Sequence, residues 1–447
     1  MRRRSVLAAL TALCLLAAAC GDDGGEPAAP TTTAAGTTTT SAAEPDDATT
    51  TTEPVELTAS FQGVTPETIK VGILTYDFDG LAALGVNFGL SNSGDLYLAA
   101  IESVNDRGGV HGRMLEPVLK EFLPVQGTAP VDAVCVELTE DEMVFVVIGT
   151  SLQEQILCFT ELHETAAIVA AGITEERMAR ARAPYAAVLD TSEGRAAHFA
   201  EIMAATGVFD DATVGVTGAV DVSLTGYESV LEALRGIGLE PIEGLIGGNA
   251  DDLSASAREQ ALIYQRMDDA GVDVTVSTSG VPLTLANAID AGYESPQWVL
   301  STAMSGRGLT DAGVPHEYLA GALAVMNTPI GTPGQPDMAD DPLVAGCVDD
   351  LVARSGHEVF YTLDAEVNDL SQALSACANV AILEQALLNA GPVLTNDSLQ
   401  AGLEAIGPID LPGYTDASLG PDDMGAIKGL TLVEFDATTG LWNLVDG

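Results

Sequence analysis

Short apolar runs alternate with amphipathic stretches along this chain from about residue 61 onward. Residues 68–74 are apolar and β-branched, which predicts a buried strand, and 95–105 has the spacing of an amphipathic helix. The same patterns recur, with strands predicted at about 114–122, 143–148, 167–171, 213–216, 272–276 and 298–301, and helices at 194–206, 226–237 and 255–270. Strands that alternate with helices of this length predict an α/β fold of doubly wound parallel sheets.

The first 19 residues have the pattern of an export signal. Three arginines are followed by a short apolar run at 6–18, which is too short to span a bilayer comfortably. Three alanines then lead directly into Cys20, an arrangement that resembles a bacterial lipoprotein signal. We expect 1–19 to be a lipoprotein signal peptide and Cys20 to be lipidated. The alternative is an ordinary cleaved signal with an incidental cysteine; in either case the rest of the chain works outside the cytoplasm.

Residues 20–60 have the composition of a linker. Threonine, alanine, proline and acidic residues dominate this stretch, which cannot bury a core, so we expect a disordered, lipid-anchored tether. Beyond it the chain is long enough for one large two-lobed protein or two ordinary domains. No later segment is an uninterrupted apolar run of transmembrane length, so we expect the body to be soluble.

The net charge of −48 limits the classes of partner. Binding to phosphate groups needs clustered lysine and arginine, so the charge argues against nucleic acid and against anionic lipid headgroups. Two interpretations of the acidity stay open: cation binding, or a solvated acidic surface that maintains solubility. The spread of the acidic residues along the whole chain favours the second.

Four cysteines lie beyond Cys20: Cys135, Cys158, Cys347 and Cys377. An even number of cysteines in an exported domain indicates two disulfides. Proximity along the chain favours Cys135–Cys158 and Cys347–Cys377, although four cysteines allow three pairings. The spacing does not match a zinc site, and we expect no metal and no cofactor.

Several segments together resemble a known family. The predicted first strand, a Gly-rich loop and a helix lead into the turn Gly108-Gly109-Val110-His111-Gly112-Arg113. Further matching segments are 144–151, 221–227, 296–299 and 319–322. Their order and spacing resemble the type 1 periplasmic binding proteins, the leucine/isoleucine/valine-type substrate-binding proteins of ABC importers, over about 65–447.

The resemblance implies two doubly wound lobes joined by a hinge, with a ligand cleft between them outside the carboxyl ends of the strands. It implies one lobe from 61–190 plus 320–410 and a second from 191–319 plus 411–447. The chain is expected to cross between the lobes near 189–191, near 320–326 and within 408–428.

Ligand residues of the first lobe follow from the same resemblance. Thr150 and Ser151 match the loop whose hydroxyl and amide groups hold a ligand carboxylate in the family; the alternative is a simple turn before a helix. The next strand-end loop contributes Ala171, Ile173 and Thr174, and the loop after the first strand contributes Tyr76 and Asp77.

Matches in the second lobe are less regular. Thr225 stands where the family has an aromatic residue before glycine, and Tyr227 is close to this position but could equally belong to the core of its helix. Asp251 is the candidate partner of a ligand ammonium group, with Asn249 as a rival and a solvated loop as the alternative. The loss of the expected aromatic puts a branched-chain amino acid ligand in doubt.

The motifs of common enzymes are missing from the sequence. The five histidines are scattered, and there is no GxSxG, HExxH or P-loop pattern, so we expect no catalytic residues and no enzyme. We expect an extracytoplasmic, lipid-anchored protein that delivers a small polar solute, such as an amino acid or amide, to an ABC permease. One alternative is a ligand-binding sensor that acts on a separate membrane receptor. Another is a surface lipoprotein that has lost ligand binding.

Overall fold

Two mostly parallel β-sheets with helices on their faces make up the folded part of the chain. The computed structural model describes residues 56–83, 90–123, 129–150, 152–247, 253–279, 282–304, 306–327, 338–359 and 369–445. All of them belong to the second of two units, Met1–Pro54 and Val55–Gly447. The expected signal peptide, Cys20 and the linker up to residue 55 lie outside the described residues.

The strands are numbered in chain order: β1 Thr68–Tyr76, β2 Met114–Phe122, β3 Val146–Gly149, β4 Ala166–Val169, β5 Tyr185–Leu189, β6 Val214–Ala219, β7 Ile242–Ile246, β8 Val274–Ser277, β9 Gln297–Leu300, β10 Leu323–Met326, β11 Gly407–Pro408, β12 Ser418–Leu419, β13 Gly425–Ile427, β14 Thr431–Asp436 and β15 Leu441–Leu444. The helices are α1 Phe78–Ala83, α2 Gly94–Asp106, α3 Ala129–Val136, α4 Glu175–Arg180, α5 Ser192–Ala205, α6 Val220–Gly236, α7 Leu253–Asp269, α8 Pro282–Asp290, α9 Gly306–Asp311, α10 Pro342–Ser355, α11 Leu370–Ala390 and α12 Asn396–Glu404. Short π-helical turns cover Glu137–Asp141 and Cys158–Leu162, and short 3₁₀ turns cover His316–Leu319 and Met338–Asp340.

The two sheets have the strand order of doubly wound folds. In the first sheet, all strands are parallel in the order β13-β5-β4-β3-β1-β2. In the second, the order is β15-β14-β10-β9-β8-β6-β7, with β14 and β15 antiparallel to their neighbours. The strand order reverses beside β1 and beside β6, where the carboxyl ends of the strands leave a crevice. The predicted α/β fold with parallel sheets is confirmed. We call each sheet with its helices a lobe, numbered in chain order.

Each lobe has its own apolar core. Every residue of β3 and β4 is buried, as expected for central parallel strands covered on both faces. In lobe 2, alternate residues of β9 belong to different clusters, Trp298 and Leu300 to one face and Val299 to the other. Because the cores are separate, the lobes can move relative to each other without breaking either one.

Helix α11 occupies the core of lobe 1. It is the one helix in the described part of the chain that is long and apolar enough to cross a membrane. Its buried side chains belong to the lobe 1 core, where α11 packs against α2, α10 and α12. Those contacts account for its apolar character without a membrane.

Three connections cross between the lobes. The first is Asp190–Thr191, between β5 and α5, the second follows Met326, and the third runs through 428–430, between β13 and β14. The expected lobe ranges differ from the sheets at two strands. β10 lies in the second sheet, although 320–410 was expected in lobe 1, and β13 lies in the first sheet, although 411–447 was expected in lobe 2. Both short strands are apolar enough to fit either sheet, so their sequences do not distinguish the two.

Polar side chains tie the three crossings together. Lys428 Nζ lies 2.7 Å from the Asp190 carboxylate, which joins the third crossing to the first. Asn327 Nδ2 donates to the Gly429 carbonyl at 3.3 Å, and Asn327 Oδ1 accepts from Arg195, which joins the second crossing to the third and to α5. We call Asp190, Arg195, Asn327 and Lys428 the hinge cluster.

Arg113 fixes the point where the chain enters lobe 1. Its fully buried guanidinium donates to the carbonyls of Thr58, Thr65 and Pro392 at 3.0, 2.7 and 2.8 Å. These bonds hold the segment before β1 against the loop before α12. This end of the sheet is opposite the carboxyl ends of the strands.

Both cysteine pairs favoured by sequence proximity are at bonding distance. The Sγ atoms of Cys135 and Cys158 are 2.06 Å apart, and those of Cys347 and Cys377 are 2.09 Å apart. The first pair joins α3 to the π-helical turn at 158–162, and the second joins α10 to α11.

We expect both disulfides to form in the exported protein and to stabilise lobe 1. Removing the Cys347–Cys377 link by changing both residues to alanine is expected to lower the free energy of unfolding by about 3 kcal/mol, because the unfolded chain regains the entropy of a closed loop. Denaturant unfolding measures the loss, and peptide mapping without reductant identifies the pairs. Detection of four free thiols in the exported protein would contradict this prediction.

Candidate ligand cleft

A cavity of about 260 Å³ lies between the two lobes. Lobe 1 contributes residues from the loops after its central strands: Gln153, Ala171, Gly172, Leu189 and Asp190. Lobe 2 contributes polar residues from α5, from α6 and from strand ends: Ser192, Arg195, Thr225, Thr278, Ser301 and Thr302. The cavity therefore sits where the carboxyl ends of both sheets face each other, the usual ligand position in open α/β sheets.

The local sequence explains why these residues reach the cavity. Asp190, Thr278 and Ser301 each come directly after a strand, so the parallel sheets bring them to one edge. Gly172 follows β4 with φ +91°, and an added Cβ would lie 2.9 Å from the Leu152 carbonyl. Glycine therefore allows the chain to turn sharply beside the cavity.

Three side chains form a bridge across the cleft. The hydroxyl of Thr225 in lobe 2 accepts a hydrogen bond from Arg177 Nη2 of lobe 1 at 3.0 Å. The same hydroxyl donates to Gln153 Oε1 of lobe 1 at 3.1 Å. We call Gln153, Arg177 and Thr225 the cross-cleft bridge. It makes direct polar contact between the lobes beside the cavity.

Arg177 is held in place by its own lobe. Its guanidinium donates to the Gly172 carbonyl at 2.7 Å and lies 3.4 Å from the Glu154 carboxylate. The Thr174 hydroxyl caps α4 by accepting from the Arg177 backbone N–H at 3.1 Å. Thr174 thus supports the cleft through helix α4 and does not line the cavity.

Arg195 and Asp190 bring opposite charges to the cavity wall. Asp190 accepts from Lys428 Nζ and from the Thr191 backbone N–H, both at 2.7 Å. Burial lowers the pKa of the Arg195 guanidinium, and the nearby Asp190 carboxylate raises it. Arginine starts so far above neutral pH that the group stays charged.

The structure brings two of the expected ligand residues, Ala171 and Thr225, to the cavity. Ile173 is fully buried in the core of lobe 1, and Tyr227 is 2% exposed in the core of lobe 2. Of the two possibilities for Tyr227, a ligand residue or a core residue of its helix, the structure has the core residue. Ser151 and Asp251, together with Asn249, lie outside the described residues.

Tyr76, Asp77 and Thr150 form a separate group at the carboxyl edge of the first sheet. The Tyr76 hydroxyl is hydrogen bonded to the Thr150 side chain, and burial raises the pKa of Tyr76. Asp77 accepts from the Gly80 backbone N–H at 2.8 Å and from Asn92 Nδ2 at 3.3 Å. These residues do not line the cavity between the lobes.

One group of possible metal ligands occurs in the described part of the chain, Cys135, Cys158 and His163. Cysteine binds metals as a thiolate, and the two sulfurs here are bonded to each other. This group therefore does not fit a metal site.

Solved proteins share this arrangement of sheets. A fatty acid ABC transporter substrate-binding protein from Thermomonospora curvata matches with TM-score 0.60 and 19% identity, over 87% of this chain and 94% of that one. A type 1 periplasmic binding protein from Bordetella pertussis matches with TM-score 0.61 and 16% identity, over 85% and 100%. An ABC transporter substrate-binding protein from Desulfitobacterium hafniense in complex with Leu matches with TM-score 0.56 and 16% identity, over 85% and 100%.

No protein-family model and no curated protein matches the chain. At these identities the likeness establishes the fold, which is that of the type 1 periplasmic binding proteins.

The cross-cleft bridge is expected to hold the lobes together in the ligand-free protein. Thr225→Val keeps the shape of the side chain but removes the hydroxyl, and a hydrogen bond with a charged donor contributes about 1.5–3 kcal/mol. We therefore expect the variant to populate more open forms and to show a larger radius of gyration in small-angle X-ray scattering. Thr310→Val is the control, because the Thr310 hydroxyl bonds within lobe 2. Identical scattering from wild type and Thr225→Val would contradict the prediction.

Proposed function

We propose that this chain is an extracytoplasmic solute-binding protein that captures a small polar solute between its lobes and delivers it to an ABC permease. The observation that carries the proposal is the cavity lined by strand ends of both lobes and crossed by a polar bridge. A solute in this position contacts both lobes at once. Its binding therefore favours the closed form over the open form.

Hinge closure gives the permease a way to recognise a loaded protein. The crossings at Asp190–Thr191 and at 428–430 are short and lie beside the cavity, where Asn327 contacts the second of them, while each lobe keeps a separate core. Rotation about a few connecting residues is the usual motion of such two-lobed proteins. The surface formed by both lobes differs between open and closed forms, so a permease that contacts both can discriminate between them.

Similar proteins support the class of solute. The protein from Desulfitobacterium hafniense was solved with Leu, and the one from Thermomonospora curvata is described as a fatty acid transporter component. The cavity of about 260 Å³ is slightly smaller than the roughly 300–1,000 Å³ typical of ligand pockets, which favours a small solute. We infer an amino acid, an amide or a related small molecule.

A lipid anchor on Cys20 is part of the proposal. It rests on the arginines, the apolar run and the alanines that precede Cys20. The anchor would keep the protein at the outer face of the cell membrane, close to the permease. The two disulfides of lobe 1 suit the same oxidising compartment.

A thermal-shift screen of the full chain against amino acids, amides and small carboxylates tests solute capture. A solute present at one hundred times its dissociation constant is expected to add about 2.7 kcal/mol to the free energy of unfolding and to raise Tm. Ala171→Trp is expected to abolish the shift because the larger side chain fills the cavity. Ala204→Trp is the matched control, on an exposed position of α5.

Absence of any shift across the panel, or full retention of the shift in Ala171→Trp, would overturn solute capture in this cavity. Reconstitution with a permease then separates import from sensing. Solute-dependent ATP hydrolysis supports the importer, and a solute that binds without any such response supports a sensor.

Lipid anchoring has a direct test in a bacterial host. We expect the wild-type chain to fractionate with membranes and Cys20→Ser to appear in the soluble extracytoplasmic fraction, because the serine cannot carry the thioether-linked lipid. Cys14→Ser removes the neighbouring cysteine of the signal and serves as the control. If Cys20→Ser stays with the membranes after export, the anchor lies elsewhere.

A further inference from the structure

Arg195 is a positively charged residue on the cavity wall that has no ion-pair partner among the described residues. Arg177 has the Glu154 carboxylate at 3.4 Å, and Lys428 contacts the carboxylates of Asp190 and Asp423. Among the ion pairs of the described residues, none includes Arg195 within 4.0 Å. An arginine without a carboxylate in direct contact is unexpected in a chain with a net charge of −48, where carboxylates are abundant.

The guanidinium of Arg195 has more N–H donors than it has acceptors among the described residues. Arginine offers five N–H donors in a planar fork. In the described part of the chain, its hydrogen-bond acceptor is Asn327 Oδ1, which contacts Nη1. The side chain is partly buried and borders the cavity, so a bound molecule can reach its remaining donors.

We propose that the cleft selects an anionic solute and that Arg195 pairs with its carboxylate. This inference rests on the proposed function, because it concerns the same cavity. A carboxylate matches the fork of a guanidinium with two parallel hydrogen bonds, which a neutral amide cannot do. The pair also supplies a carboxylate in direct contact with Arg195, whose acidic neighbour Asp190 is more than 4.0 Å away and is paired with Lys428.

The rest of the lining indicates the kind of acid. Apart from Arg195, the paired Asp190 and the Gln153 amide, the cavity is lined by hydroxyl groups and by apolar side chains such as Phe199, Val230 and Val325. A solute with one carboxylate and a compact, mainly apolar body complements this surface. An ammonium group on the solute would have to compete with Lys428 for Asp190, the one carboxylate in the described lining.

The acidity of the whole chain does not prevent anion binding. At physiological ionic strength, exposed charges interact over only about 8 Å before salt screens them. The distant surface carboxylates therefore have only a small effect on an anion in the cavity, and they act mainly on its association rate. The direct contact with Arg195 acts on its dissociation rate.

Calorimetric titration of the full chain with matched solute pairs tests the inference. The pairs are benzoate with benzamide, isovalerate with isovaleramide, and leucine with leucine amide. We expect the carboxylate of a binding pair to bind at least about tenfold more tightly than its amide, the usual effect of a hydrogen bond to a charged group. Equal affinity within the pairs, or tighter binding of the amides, would overturn the inference.

Variants then assign the effect to Arg195. Arg195→Gln is expected to weaken carboxylate binding at least about tenfold and to remove the preference over the amide. Arg195→Lys is expected to keep part of the preference, because it retains the charge but loses the fork. Arg235→Gln is the matched control, since Arg235 is an exposed arginine on α6 that pairs with Glu243. A preference that survives in Arg195→Gln would show that another group holds the anion.

The outcomes separate this inference from the proposed function. If neutral solutes bind in the cavity and carboxylates do not, solute capture stands and the pairing with Arg195 is wrong. If no member of any pair binds and the wider panel is also silent, both are wrong. Circular dichroism and Tm report whether each variant folds, and the comparison of acids with amides needs only the wild-type chain.

Discussion

The ion pair between Asp190 and Lys428 is the contact on which the geometry of this molecule depends. It joins the first crossing between the lobes to the third, and both partners are partly buried, at 16% and 28% side-chain exposure. Removal of Lys428 would leave the partly buried Asp190 carboxylate without its ion-pair partner, which is destabilising. Asn327 adds the second crossing to the same cluster. In the described residues, these contacts bring parts of all three connections together beside the cavity.

The set of residues that line the cavity follows from that arrangement. The strands are parallel and end at one edge, so the loops that follow them supply the lining from both sides. Each lobe keeps its own core, which leaves the cleft as the region where polar groups meet across lobes. Arg195 belongs both to the hinge cluster and to the cavity wall. A ligand that contacts Arg195 therefore also contacts the hinge cluster.

The sequence predicts the fold better than the site. Periodicity identifies strands close to β1, β8 and β9, because buried parallel strands are mostly apolar runs, and it also identifies the more exposed edge strand β2. It cannot assign β10 and β13 to a sheet, because their pairing depends on chain segments far away in sequence. Thr225 and Ala171 are found through the resemblance to a family. Arg177 and Arg195 are missed because their roles arise from contacts between distant segments. The rule that ligands lie after strand ends would have pointed to Asp190, Thr278 and Ser301.

The hydrogen bonds of Arg113 determine which part of the folded protein resists a force on the N-terminal side of the chain. Tension along the N-terminal side of the chain first meets the carbonyls of Thr58 and Thr65, which a single buried guanidinium holds beside Pro392. This anchorage is in lobe 1, at the edge of the sheet opposite the cleft. A force applied to the chain just before Thr58 is therefore borne by lobe 1 and not by the crossings between the lobes.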